Sequence, residues 1–73
     1  MARAAVIGAD LRIQGYALAG AVLYPVDGRA GARRAWQELP ADIAVVIVTA
    51  EVAGWLGDDL SSRAGVLPVV MPA

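Results

Sequence analysis

The chain reads as a small α/β domain built on a four-stranded parallel sheet. Three observations predict it. Four short apolar runs, at 4–7, 22–26, 43–48 and 67–71, are separated by segments of helix length. Strands joined by such segments demand parallel pairing through right-handed crossovers. The run Ile43 to Val48 is unbroken and dominated by β-branched residues, as in a central parallel strand covered on both faces. At 73 residues the chain has room for a single domain over 1–73.

Ala4 to Ile7 is the first strand, closed by Gly8. Asp10 follows as an N-cap candidate, since its carboxylate can accept from the free N–H groups of a helical first turn. Leu11 to Ala19 is then the first helix, with Leu11, Gly15, Leu18 and Ala19 on one face at offsets of four, seven and eight. Gly15 costs such a helix about 1 kcal/mol relative to Ala, which close packing on the sheet would explain. Gly20 stops it.

Val22 to Val26 is the second strand. Pro25 lies inside it and cannot donate to a ladder, so it is placed at an edge. The turn Asp27-Gly28 opens a second helix, Arg29 to Leu39, with Ala32, Ala35, Trp36 and Leu39 on its core face and Pro40 as its stop. After the central strand, Thr49 caps a third helix, Ala50 to Leu56, that buries Val52, Ala53 and Leu56. Asp58-Asp59 restarts a turn through Leu60, and 61–65 is a loop. Leu67 to Met71 is the last strand, with Pro68 near its start. The expected order is 2-1-3-4, a flavodoxin- or Rossmann-like sheet with the 22–26 strand outermost and helices flanking it.

Composition excludes several chemistries. There is no His, Cys or Lys; all six basic residues are Arg. Disulfides, thiolate or imidazole metal sites, Ser-His-Asp and Cys-His arrangements and Schiff bases therefore drop out. A net charge of −1 predicts neither a nucleic-acid partner nor an anionic membrane surface. No apolar run approaches the roughly 18 residues that span a bilayer, and the opening run is shorter than a signal peptide's, so the expectation is a cytoplasmic protein without direct membrane insertion. The hydrophobic fraction of 59% leaves two readings open: an Ala-rich core, or apolar surface kept for a partner.

In a sheet of this order, ligands sit beyond the carboxyl ends of the strands where the order reverses. That crevice collects Gly8, Ala9 and Asp10 from one side and Thr49, Ala50 and Glu51 from the other, with Gln14 within reach. Phosphate binding would want more glycine than Gly8-Ala9-Asp10-Leu11-Arg12-Ile13 supplies, and Asp10 would repel the phosphate. A phosphorylated receiver domain would need a second acid beside Asp10, an Asp at Thr49 and a late Lys, and has none of them. Asp10 and Glu51 as a Mg²⁺ or acid/base pair are outweighed by their places in helical first turns, where the dipole favours a carboxylate by about 0.3–1 kcal/mol. No catalytic residue, metal site or cofactor is expected. Trp36 fits a core face, whereas Trp55 and Tyr16 lie off the apolar stripes, and Arg29, Arg33 and Arg34 put positive charge on one helix. These are the candidates for protein contact.

Read end to end, the order of segments resembles the F subunit of the V-type and archaeal-type rotary ATPases. Val6-Ile7-Gly8-Ala9-Asp10 leading to Gly15-Tyr16-Ala17-Leu18-Ala19-Gly20 is similar to that family's apolar strand, Ile-Gly, acidic residue and Gly-Phe-x-Leu-Ala-Gly, with Tyr16 where the family has Phe. Asp42-Ile43-Ala44-Val45-Val46-Ile47-Val48-Thr49 matches its Asp-Ile-Ala-Ile-Ile-x-Ile-Thr-Glu strand, and Leu67-Pro68-Val69-Val70-Met71-Pro72 its Leu-Pro-Val-Val-x-x-Ile-Pro. Ala50 departs from the family's glutamate, and the sequence stops at Ala73, so the expectation is that the C-terminal segment family members usually carry past the last strand is missing or was trimmed away. The resemblance implies a non-catalytic central-stalk subunit of a rotary ATPase, reached at the membrane only through the complex. It would bind the coiled coil of the rotor's D subunit beneath the catalytic head and help couple ATP hydrolysis or synthesis to proton or sodium transport. Tyr16, Leu18, Arg33, Arg34 and Trp55 are then the expected partner-binding residues. Two readings stand beside it: a free-standing small-ligand or nucleotide-binding domain using the crevice, and a minimal protein-binding regulatory domain.

Overall fold

The structure is a computed structural model that describes residues 3–71. Its four strands are β1 (Arg3–Gly8), β2 (Val22–Pro25), β3 (Ile43–Val48) and β4 (Leu67–Val70). All pair in parallel, in the order β2-β1-β3-β4. The helices are α1 (Asp10–Ile13), α2 (Arg29–Glu38) and α3 (Ala50–Leu56), with 3₁₀ segments at Gln14–Ala19 and Gly57–Ser61. The expected fold class and strand order are those observed.

The first helix differs from its expectation. It starts at Asp10 and tightens to 3₁₀ winding after Ile13, so the offsets of four, seven and eight never develop. A 3₁₀ helix turns every three residues, which breaks a face built on 3.6. The buried residue is Ile13, fully covered, while Leu11 stands 88% exposed. Asp10 does not cap the helix; it occupies the first turn, and its carboxylate accepts from Gln14 Nε2 at 3.3 Å. Gly15 meets no neighbour that a Cβ would touch, so close packing is not its reason. Gly20, at φ +82°, ends the segment as expected. The side chains of Leu18 and Ala19, both on the expected face, lie outside the described residues.

The other elements follow their sequence signals closely. The core set of α2 is buried as a unit: Ala32, Ala35, Trp36 and Leu39. Leu39 itself is already extended, with ψ 130°, because a residue before proline is pushed out of the helical region. Thr49 caps α3, its Oγ1 accepting from Val52 N–H at 3.3 Å. Arg63, from the loop before β4, reaches back to α2 and donates to the carbonyls of Trp36 at 2.9 Å and Leu39 at 2.5 Å. It thereby places a cation on the carbonyl end of that helix.

Coverage of β3 is uneven, and here the expectation of two buried faces needs correction. Val46 and Val48 join Ala5, Ile7, Val52, Leu56 and Trp36 in the core. Val45 and Ile47, on the reverse face, are only half-buried. The reason is topological. Right-handed crossovers send β2→β3 and β3→β4 over the same face, so α2 and α3 pack together there, while α1 alone lies against β1 and β2. An extra residue in β3 at Ala44, where the pairing slips between Arg3 and Ala4, keeps Ile43 on the covered side at 2% exposure.

Both edge strands carry a proline on the harmless side. Val26 N–H donates to Gly8 at 2.9 Å and Met71 N–H to Val48 at 2.8 Å. Backbone groups alternate in direction along a strand, so Pro25 and Pro68 can present their missing donor to solvent, where it is dispensable. Each edge thus offers fewer groups for pairing with another strand. At the amino end of β1, Arg3 and Asp42 form a two-pronged pair at 2.6 and 2.9 Å, and the hydrogen bond from Arg3 holds the Asp42 carboxyl below its usual range.

The tightest backbone approach is at Gly8. A Cβ there would press into the Thr49 methyl and lie 2.9 Å from that of Ile13. Gly8→Ala should therefore destabilise the domain by roughly 1–3 kcal/mol, the usual cost of overpacking. It is read as a lower urea midpoint at unchanged m-value. Gly15→Ala, with open space around it, should leave stability unchanged or raise it by up to about 1 kcal/mol. Arg63→Ala should cost about 1–2 kcal/mol by freeing the α2 carbonyls, and Arg63→Lys should recover only part of that in the same titration.

Candidate functional site

The crevice forms where β1, β2 and β3 end. Gly8 pins the three exits together: its carbonyl accepts from Val26, the Ile7 carbonyl accepts from Thr49 N–H at 3.2 Å, and its missing side chain admits Thr49 and Ile13. From this point the chain turns upward into α1 and α3, and Asp27-Gly28 leads into α2. All three helices begin at this end of the sheet, because each runs back antiparallel to the strands.

Above the strand ends lies an open groove of about 920 Å³. Its walls include Leu11, Tyr24, Pro25, Val26, Ala35 and Trp55. Its charge is one-sided. Asp10, Asp27, Glu38 and Glu51, four of the seven carboxylates, line it against one of the six arginines. That arginine, Arg34, is engaged with Glu38 at 3.3 Å. Among the described residues, Asp10, Asp27 and Glu51 take part in no ion pair.

What this arrangement can do chemically is limited by how its polar groups are used. Thr49 is 4% exposed and its hydroxyl is committed to the α3 cap. Glu51 sits in the first turn of α3 and Asp10 in that of α1, where the dipole accounts for a carboxylate. Among the described residues no three acidic side chains come together as a metal site. A phosphate would meet Asp10 and Glu51 at the very helix ends that would otherwise hold it. The groove suits an apolar ligand with positive charge.

The structure brings two of the predicted contact residues to this groove, Arg34 and Trp55. Trp55 is half-buried, one side against the core and one on the groove. Arg33 turns away from it and meets Asp59 at 3.6 Å, tying α2 to the segment after α3. Arg29, Arg33 and Arg34 therefore do not present one uncompensated positive face. Tyr16 is half-buried in the 3₁₀ segment and outside the groove, and the Leu18 side chain lies outside the described residues. Sequence reasoning missed Leu11, Tyr24 and Val26 as groove residues. Leu11 was hidden by its helical offset to Gly15, a signal that 3₁₀ winding cancels. Tyr24 and Val26 were legible only as strand residues, because alternation along an edge strand does not tell which side a helix covers.

The fold and groove define a class: an open, four-stranded parallel α/β domain with its crevice at the carboxyl ends. No family model matches the chain, and no curated protein sequence matches it. Among solved structures it is similar to the F subunit of the V-type ATP synthase from Archaeoglobus fulgidus, with a TM-score of 0.80 at 22% identity, over 97% of this chain and 98% of that one. The likeness is one of fold, and it spans both chains almost end to end. No helix among the described residues is long and apolar enough to cross a membrane.

Replacing the Thr49 hydroxyl tests whether that residue is a cap or a ligand group. Thr49→Val should lower stability by about 1 kcal/mol, the worth of an N-cap, measured by chemical denaturation. An unchanged midpoint would release the hydroxyl for a ligand.

Proposed function

We propose that this chain is a non-catalytic central-stalk subunit of a V/A-type rotary ATPase. In this reading it binds the coiled-coil D subunit of the rotor below the catalytic head. It helps couple ATP hydrolysis or synthesis to proton or sodium translocation, on the cytoplasmic side and peripheral to the membrane. The observation that carries the reading is the structural likeness to the F subunit of a V-type ATP synthase, covering 97% of this chain. Three motifs in family order support it independently: the Ile7-Gly8 strand end with Asp10, the Asp42-to-Thr49 strand, and Leu67-Pro68-Val69-Val70. The chemistry of the groove agrees, since its buried hydroxyl is spent on a helix cap. Tyr16, Leu18, Arg33, Arg34 and Trp55 remain the proposed partner-binding residues, with Arg34 and Trp55 sharing one surface.

The test is a pull-down from native lysate with the tagged chain, read by mass spectrometry. The coiled-coil rotor subunit and the catalytic head subunits should be recovered together, in amounts that survive washing. Recovery of the chain without any rotary ATPase subunit would overturn the stalk reading and leave only the likeness of fold.

A further inference from the structure

The groove at the strand ends is more than the space left by three diverging helices. Leu11 stands 88% exposed at its rim, which leaves a large apolar side chain in water. Trp55 and Tyr24 add half-buried aromatic surface. Trp and Tyr are among the side chains that most often anchor a protein contact.

Charge decides what kind of partner fits. The groove collects most of the chain's carboxylates and only one arginine, itself neutralised by Glu38. Helix dipoles favour Asp10 and Glu51 in first turns and Asp27 just ahead of the α2 cap, but not Glu38. Asp27 precedes α2 in a bend, and Glu38 lies in the last turn of α2, where the dipole opposes a carboxylate. Outside the groove, Asp42 is matched by Arg3 and Asp59 by Arg33, and Asp58 alone stands without an ion pair among the described residues, in the first turn of the 57–61 3₁₀ segment. Three carboxylates around an apolar surface, with no cation paired to them among the described residues, complement a partner that supplies both apolar side chains and positive charge.

Form follows from the edges. Pro25 lines the groove on the β2 edge and supplies no donor, so an added strand would find a broken ladder there. A helix needs no such ladder; it lays an apolar stripe into a groove and sets charges along the rims.

We infer that this groove docks a basic amphipathic α-helix of a partner protein, with apolar side chains against Leu11, Tyr24 and Trp55 and Arg or Lys side chains facing Asp10, Asp27 and Glu51. The inference deepens the stalk reading, on which it rests for the partner's being helical, by naming the surface and the chemistry that meets it.

The test uses the whole chain and three probes. They are a helical peptide with a leucine stripe flanked by arginines, the same peptide flanked by glutamates, and the purified coiled-coil stalk subunit. The arginine peptide should bind at least roughly tenfold more tightly than its glutamate counterpart, a difference of about 1.4 kcal/mol. Its affinity should fall as salt rises through the range where the Debye length drops below about 10 Å. Its NMR shift changes should centre on Leu11, Val26 and the Trp55 indole.

Leu11→Glu and Asp27→Lys change exposed positions and should leave the folded spectrum intact while weakening binding roughly tenfold or more. Asp58→Lys, exposed and outside the groove, should bind as the unaltered chain does. Equal affinity for the two peptides overturns the inference, as do shift changes on the Val45/Ile47/Leu67/Val69 face, or equal loss from Asp58→Lys. Self-association abolished by Leu11→Glu overturns it too, assigning the groove to a second copy. Capture of the coiled-coil subunit that ignores Leu11→Glu and Asp27→Lys sinks the groove and keeps the stalk reading. Peptide selectivity at the groove without capture of that subunit does the reverse.

Discussion

The close approach at Gly8 is the constraint on which the rest of the domain hangs. Three strand exits meet around one residue that lacks a side chain. Its carbonyl holds the end of β2, its neighbour Ile7 holds the start of α3 through Thr49, and the vacant Cβ position is filled by Thr49 and Ile13. A parallel sheet has no hairpins to set its register, so pairing is set by the burial pattern of each strand together with how the strands leave the sheet. Here the exits are fixed at the strand ends, with Ile13 and Thr49 converging on one point. The short α1 follows from the same geometry. Ile13 must return to the sheet within a single turn of leaving it, and the chain then tightens into 3₁₀ winding toward Gly20 and β2.

Topology then dictates where covered and uncovered surface falls. With β1 second in the order, the crossover to β3 passes over it, and α2 and α3 share a face. They bury Trp36, Leu39, Val46, Val48, Val52 and Leu56 between them and the sheet. The reverse face has α1 and its 3₁₀ extension, over β1 and β2. Val45 and Ile47 are left half-buried there, with Leu67 at 62% and Val69 at 42% exposed beside them. The parallel strand direction brings all three helix starts to one end of the sheet. The groove at the strand ends thus follows from parallel strands whose crossovers leave on both sides of β1.

Most of the architecture was legible in the sequence because its signals are local and mutually consistent. The offsets of Ala32, Ala35, Trp36 and Leu39 named the buried face of α2, and Pro40 named its end. Pro25 identified an edge strand, and the β-branched run at 43–48 identified the strand that pairs on both sides. The parts that were not legible depend on contacts between distant segments. Whether Leu11 or Ile13 faces the sheet is decided by the space over Gly8, not by periodicity within residues 11–19. The clamp from Arg63 to the end of α2 joins residues 24 and 27 positions apart, and nothing about Arg63 itself announces it. The pairing of Arg33 with Asp59 likewise removes a charge that composition assigns to an exposed face. At the crevice, the residues nearest the strand ends were readable from the strand order, while Tyr24 and Val26 entered the groove only through the placing of β2 against α2.

A domain of this size links its stability to its contacts. Burial of about 60% of the unfolded surface leaves little surplus over chain entropy. The core sets three alanines, Ala5, Ala32 and Ala35, among larger side chains such as Ile7, Trp36, Leu39 and Leu56, and the alanines contribute little transfer free energy each. Any partner that binds only the folded state adds RT ln(1 + [L]/Kd) to its stability. A partner at about a hundred times its Kd would contribute about 2.7 kcal/mol, a substantial share of what a fold of this length holds. The fold supports catalysis in many other proteins, yet fold alone assigns no chemistry. Here the strand-end carboxylates surround an apolar surface, and the buried hydroxyl among them secures a helix. On the proposed reading the groove holds another macromolecule, and the stability such a partner adds gives a small domain a physical reason to work inside an assembly.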